Sequence, residues 1–361
     1  MSCPARTYPF RKPPNHRVPV PRWTLELLDD ITHTYTTYIG AQQHDGREAT
    51  MHATLQAIQI VQNWLASSAG PAAFESFTQN DDSIERDTAI WVCYWDDSSR
   101  CESSLRSLAL SSIHSTLPES SRSSVGIWQE SFASEVSRLE TNYSGLDYLP
   151  GLARLPGAST VEHTLSAYWG AARDRIPDSA HDLFPRAAEI KRPQSKPKGL
   201  GQHLIGTNHT NLVHIRSGQF WENCGQQEAD AYEQKLEPTL RAGLQYLRNN
   251  FEETGAMGIR YLRNEVLPAR IGNRESKESC GAGFFANLED LEHWAKTHVS
   301  HLKIYRGALS HYKAFGDDRR FRTWHEVSII REGEAKFEYI NCAPGTGVMD
   351  LLPLEVRSID A

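Results

Sequence analysis

Two stretches far apart in the chain carry one pattern. Thr88–Trp95 (TAIWVCYW) is a run of β-branched and aromatic residues, and Asp96–Asp97–Ser98 follows as a helix-start signal before a helix to about Leu110. Gly281–Ala286 is again a strand, with Asn287 as an N-cap, Asp290 three residues on, and an amphipathic helix after it. A chain made of such units must lay helices against a sheet. Arg47–Ala66 also reads as a helix, with Met51, Leu55, Ile58, Val61, Trp64 and Leu65 along one side. The strand runs Met257–Val266, Arg322–Ile330 and Ala335–Cys342 have short links of the antiparallel kind. The order favours α+β over a doubly wound parallel sheet. The recurring unit hints at an internal structural repeat, although identity between the copies is slight.

Pro177–Gly201, rich in Gly, Pro, Lys and Ser, reads as a long connection between two halves, about 45–176 and 202–345, of a single domain spanning 1–361. LGQHLIGTNHTNLVHIRSG then predicts two strands around a polar turn. A long helix follows from about Gln226 to Phe251, with Leu236, Leu240, Leu244, Leu247 and Phe251 as its apolar stripe and Pro238 marking a kink or restart.

Composition excludes several classes. The 361 residues are 39% hydrophobic and 23% charged, enough for a large core, and the net charge of −7 argues against a nucleic-acid partner. No run of 18 apolar residues is present, so no membrane span is expected. The N-terminus MSCPARTYPFRKPPNHRVPVPRW has no signal-type hydrophobic stretch and reads as an extended arm; the expected location is cytoplasmic. The six cysteines show no CxxC or CxxCH spacing, which argues against a zinc module and c-type haem attachment and predicts free thiols.

Four places carry chemistry-bearing residues. Thr297–Phe315 (THVSHLKIYRGALSHYKAF) predicts a helix in which His301, Ile304, Tyr305 and Ala308 share one face, with Leu309 and Tyr312 beside them. That face reads as the buried one, so His301 is either a core histidine with a satisfied hydrogen bond or a ligand aimed at something held in the core. By the period of two, His325 shares a strand face with Thr323, Val327 and Ile329, and Ser217 one with Val213 and Ile215. Each must find a partner or suffer desolvation, whether its role is structural or catalytic. In AYWGAARDRIP, Arg173 and Arg175 flank Asp174, a pattern that singly suggests a surface ion-pair cluster. Glu140 in RLETNYSG reads by default as an exposed helix carboxylate.

Taken together and in order, YWGAARDRIP, HIRSGQFW, LEDLEHWAKTHVSHLKIY, RTWHEVSI and FEYINCAPGTG resemble the haem-dependent aldoxime dehydratase family, over about Val18 to Met349. The resemblance implies two ferredoxin-like halves in the dimeric α+β barrel arrangement, with an additional N-terminal helical segment. It implies one haem b per chain, an aldoxime substrate and a homodimer. His301 matches the proximal iron ligand and His298 a histidine that does not bind iron. His325 matches the distal acid–base group and Ser217 the distal serine. Arg175, rather than Arg173, matches the distal arginine, and Glu140 its associated glutamate. The implied reaction, R–CH=N–OH to R–C≡N plus water, makes the protein a lyase whose substrate nitrogen binds ferrous iron. A peroxidase or chlorite dismutase-like enzyme on the same fold, or a haem-binding protein without turnover, are the alternatives. The turn Thr207–Thr210 and the link around Phe315–Phe321 depart from the family pattern by their length, which bears on substrate preference.

Overall fold

The computed structural model describes residues 6–81, 84–264, 276–357 and 359. Its strands are β1 (Trp23–Glu26), β2 (His33–Gln43), β3 (Ala73–Asp81), β4 (Ile84–Trp95), β5 (Val125–Glu135), β6 (Leu139–Tyr143), β7 (Ser159–Glu162), β8 (His203–Thr207), β9 (Leu212–Phe220), β10 (Ala256–Arg263), β11 (Glu278–Phe285), β12 (Arg322–Ile330), β13 (Ala335–Ile340) and β14 (Glu355–Arg357). The α-helices are α1 (Glu48–Leu65), α2 (Ser98–Leu108), α3 (Leu110–Thr116), α4 (Glu119–Arg122), α5 (Ala171–Arg175), α6 (Gln226–Ala231), α7 (Glu237–Asn249), α8 (Phe251–Thr254), α9 (Leu288–Thr297) and α10 (Val299–Phe315). Several predicted elements form where periodicity placed them, among them α1, α9, β12 and β13. Asp97 caps α2 by accepting from the Arg100 amide at 2.7 Å, and Asn287 caps α9 by accepting from Glu289 at 3.0 Å. The long helix after Gln226 restarts through a π-turn at Tyr232–Leu236, just ahead of Pro238. The end of the predicted Met257–Val266 strand and Cys3 lie outside the described residues; the other five cysteines are free.

All fourteen strands join one antiparallel sheet in the order β14-β8-β13-β5-β2-β4-β3-β10-β11-β9-β12-β6-β1-β7. Two four-stranded blocks, β5-β2-β4-β3 and β10-β11-β9-β12, meet edge to edge where Leu262 and Arg263 pair with Gln79 and Thr78. The α+β class therefore holds, but the barrel does not form. Closure needs the end strands to pair, and among the described residues β14 pairs only with β8 and β7 only with β1. Extra strands extend both blocks outward instead, and short edge strands of three and four residues end the sheet. The N-terminal helical segment is absent too. Residues 6–22 contain no helix, since Pro13, Pro14, Pro19 and Pro21 remove backbone donors, and the arm is pinned where the Arg11 and Lys12 amides donate to Asp174 at 3.1 Å.

The blocks share a packing device. Gly218 lies opposite Trp324, and a Cβ there would meet the indole at 2.2 Å; Gly40 lies opposite Trp128 with the same 2.2 Å clash. In each pair the glycine leaves room for a flat indole, over which Arg216 or Arg260 stacks at 4.7 or 4.4 Å. On the other face of the second block, Val213, Val327, Ile329 and Phe285 pack against Leu247 of α7 and Leu288, Leu291 and Trp294 of α9.

Candidate active site

Strand register brings Ser217, His325 and Glu140 together. Ser217 on β9 lies directly opposite His325 on β12, and His325 directly opposite Asn142 on β6. Directly opposed residues point to the same face, so these three side chains form a row, with Glu140 one pleat along from Asn142. Glu140 is thus a strand residue, 2% exposed, and not the exposed helix carboxylate expected of its local sequence. A carboxylate so deep needs charged partners. Arg175, at the end of α5, supplies one: its Nε donates to Glu140 Oε2 at 2.8 Å and its Nη1 to the Leu165 carbonyl at 2.6 Å.

The third side of this cluster is His325. Its Nε2 lies 2.9 Å from Arg175 Nη2 and 2.9 Å from Glu140 Oε1. One nitrogen cannot serve both neighbours alike. Unprotonated, Nε2 accepts from Arg175 and leaves the buried Glu140 Oε1 without a hydrogen bond. Protonated, it donates to that oxygen and satisfies it. Burial pushes the Glu140 pKa up, but Arg175 and His325 outweigh it and hold the group down at about 2. The site therefore sets a fixed anion beside an imidazole nitrogen that can either accept from Arg175 or donate to Glu140.

Arg173, two residues before Arg175, points elsewhere. It pairs with Glu292 at 2.7 Å and donates to the Leu183 carbonyl at 2.8 Å, outside the Glu140–His325 cluster.

His301 stands on α10, its ring edge-on to Trp294 at 4.8 Å and to Trp169 at 6.2 Å. Burial pushes its pKa down, partly offset by the Ala295 carbonyl, so the imidazole is held neutral. The helix face differs from expectation. His301, Ile304 and Ala308 are only half-buried, Tyr305 and Leu309 are 37% and 50% exposed, and His311, on another side, is the buried residue of α10. Glu228 holds His311 there at 3.2 Å. His298 caps α10, accepting from the Ser300 amide at 3.2 Å, and stacks on Tyr246 at 4.2 Å.

This donor set fits a haem. His301 is a neutral imidazole whose Nδ1 is buried without a hydrogen bond, set among aromatics, and Trp169, Tyr305 and Leu309 leave apolar surface uncovered beside it. A cavity of about 1550 Å³, lined by Gln42, His44, Trp128, Arg248, Arg260 and the Gly345–Gly347 turn, contains none of the site residues.

The family model for haem-containing dehydratases matches residues 37–348. The chain belongs to that family. It is an enzyme of the aldoxime dehydratase type. It is 30% identical to the aliphatic aldoxime dehydratase of Pseudomonas chlororaphis over 349 residues, which is 97% of this chain and 96% of that protein. It is 26% identical to the phenylacetaldoxime dehydratase of a Bacillus species, over 93% of each chain. The crystal structure of an aldoxime dehydratase in complex with butyraldoxime superposes with a TM-score of 0.83 at 28% identity, covering 96% of this enzyme and 94% of that chain. Sequence reasoning passed over Asn142 and the nearby His163; the signal for Asn142 is its place opposite His325, which only strand pairing reveals.

Proposed function

We propose that this enzyme dehydrates aldoximes to nitriles on the face formed by His325, Ser217, Arg175 and Glu140, with haem b held by His301. Likeness to the family extends the proposal to a cytoplasmic homodimer; among the described residues no helix is long and apolar enough to cross a membrane. The observation that carries the reading is His325 Nε2 set between Arg175 and Glu140.

Hydroxide is a poor leaving group, so the N–O bond needs a proton donor. Ionised Glu140 can accept from Nε2 when the ring carries both protons, and Nδ1, which has no hydrogen bond to a described residue, is the nitrogen free to face substrate. It protonates the departing hydroxyl, then takes the proton from the aldoxime carbon, so His325 ends as it began. Ser217, one strand over, orients the oxime oxygen. Arg175 fixes the carboxylate and offers the alternative donor to Nε2 when the ring is neutral. The haem, when bound in its ferrous state, supplies electron density to the oxime nitrogen.

The test is nitrile formation from an aldoxime by haem-loaded enzyme, with and without dithionite. Reduced enzyme is expected to turn over and ferric enzyme to be nearly inert; no nitrile from either defeats the reading. His325→Ala should keep its haem and lose roughly 100- to 10,000-fold in kcat.

A further inference from the structure

We propose that Asn142 is a third substrate-contacting group of this face, donating an amide N–H to the oxime oxygen, and that His163 is the residue that positions it. This rests on the function proposed above but is carried by a separate set of hydrogen bonds.

The orientation of the Asn142 amide follows from the chain of donors behind it. The Leu165 backbone N–H donates to His163 Nδ1 at 3.2 Å, so that nitrogen carries no proton. A neutral imidazole with an unprotonated Nδ1 must carry its proton on Nε2. His163 Nε2 lies 3.1 Å from Asn142 Oδ1 and therefore donates to it. Turned the other way, the amide would set its own N–H against an N–H, so the flipped orientation is excluded. The tautomer is secure at neutral pH. Burial and then the Arg175 charge push the His163 pKa down to about 4, against the smaller opposing pull of Glu140. His325 and Arg22 add to the depression.

With Oδ1 held from behind, Nδ2 points away from His163. It has no partner among the described residues, and Asn142 is half-buried on the face it shares with His325. Directly opposed side chains on neighbouring strands stand about 5 Å apart, so Ser217 and Asn142 flank His325 on either side. The hydroxyl that receives the His325 proton would then lie between a serine hydroxyl and a fixed amide donor. A donor held in place before reaction is worth more than one recruited from water, because nothing need reorganise as the N–O bond breaks.

Asn142→Leu and Asn142→Asp separate donor from shape. The aspartate still accepts from His163 but cannot donate to substrate. Both variants are expected to keep wild-type haem content and lose roughly a hundredfold in kcat. His163→Phe should lose less, and Asn142→Leu/His163→Phe should match Asn142→Leu alone, because His163 acts through the amide. A second readout needs no turnover. In the ferrous carbonyl form, loss of a distal donor moves the C–O stretch to higher wavenumber, and Asn142→Leu should show that shift. If wild-type enzyme makes no nitrile while the stretch still moves, the donor stands and the dehydratase reading falls. Asn142→Asp and Asn142→Leu within threefold of wild type, an unmoved stretch, or losses that multiply in the double variant would overturn the proposal.

Discussion

Residues of one type divide here by what surrounds them. His298 and His301 sit three apart at the start of α10, yet the first is a helix cap stacked on Tyr246 and the second a neutral imidazole with an orphaned Nδ1 among indoles. His301→Ala should give folded protein without a Soret band. His298→Ala should keep the haem and lose about 1 kcal/mol of stability with the cap, read as a lower urea midpoint; the reverse result would exchange the two roles. Arg173 and Arg175 divide likewise, one to Glu292 and one to Glu140. Motif spacing points to Arg175 by resemblance, but no local pattern shows which of two arginines meets a carboxylate 35 positions back. Glu140 has a carboxylate pKa depressed from 4.5 to about 2, so its ionic contribution is present above the unfolded value and lost as pH falls through the folded one. Glu140→Gln removes the fixed anion beside His325. Haem retention with turnover reduced at least tenfold is the expected outcome at neutral pH, measured by Soret absorbance and nitrile yield.

At the scale of elements, α10 is placed by close helix contact rather than by its own amphipathic pattern. A Cβ on Gly243 of α7 would stand 2.8 Å from Ile304 Cδ1, and one on Gly307 of α10 would stand 2.8 Å from Leu236 Cδ2. Both glycines let α10 approach its neighbour, which sets where His301 stands. An alanine at 243 meets only the end of a flexible side chain, but leucine overfills the contact by an amount that typically costs 1–3 kcal/mol. Gly243→Leu should therefore release haem to apomyoglobin several-fold faster than wild type, while Gly243→Ala stays close to it. Equal release rates would mean that α10 is anchored elsewhere. Periodicity found α10, its end at Phe315 and the apolar positions on it, though it began the helix at Thr297, which closes α9. It could not tell that Tyr305 and Leu309 stay exposed in the polypeptide, because an apolar stripe records burial against something without saying whether that is protein or cofactor.

Across the whole molecule, the two blocks repeat their glycine–indole packing but not their chemistry. Beside Gly218 and Trp324 stand Ser217 and His325; beside Gly40 and Trp128 stand Ile39 and Gln129. On the reverse face of the site strands lie further buried acids. Burial raises Glu326 to about 7, against the pull of Arg216, and raises Glu278 to about 7 in company with Glu75. A folded-state pKa above the unfolded value means stability present below the unfolded value and lost as pH rises through about 7. Buried histidines such as His163 and His214, held down to about 4 and about 3, act in the opposite direction between pH 5 and pH 8, so the reading is the difference between variant and wild type: Glu326→Gln should gain urea resistance relative to wild type at pH 8 over its standing at pH 5, and a difference that does not change with pH would show that Glu326 does not titrate in this window. The amino-acid sequence by itself determined elements such as α1, α9, β12 and β13, the α+β class, the caps at Asp97 and Asn287, and the family, because these depend on residues within a few positions of one another or on motifs kept in order. Only the tertiary structure decided that the sheet stays open, that Glu140 is buried on a strand, and that Asn142 lies beside His325. Those facts depend on which strands pair and in what register, and pairing is settled by packing between segments that local periodicity cannot relate.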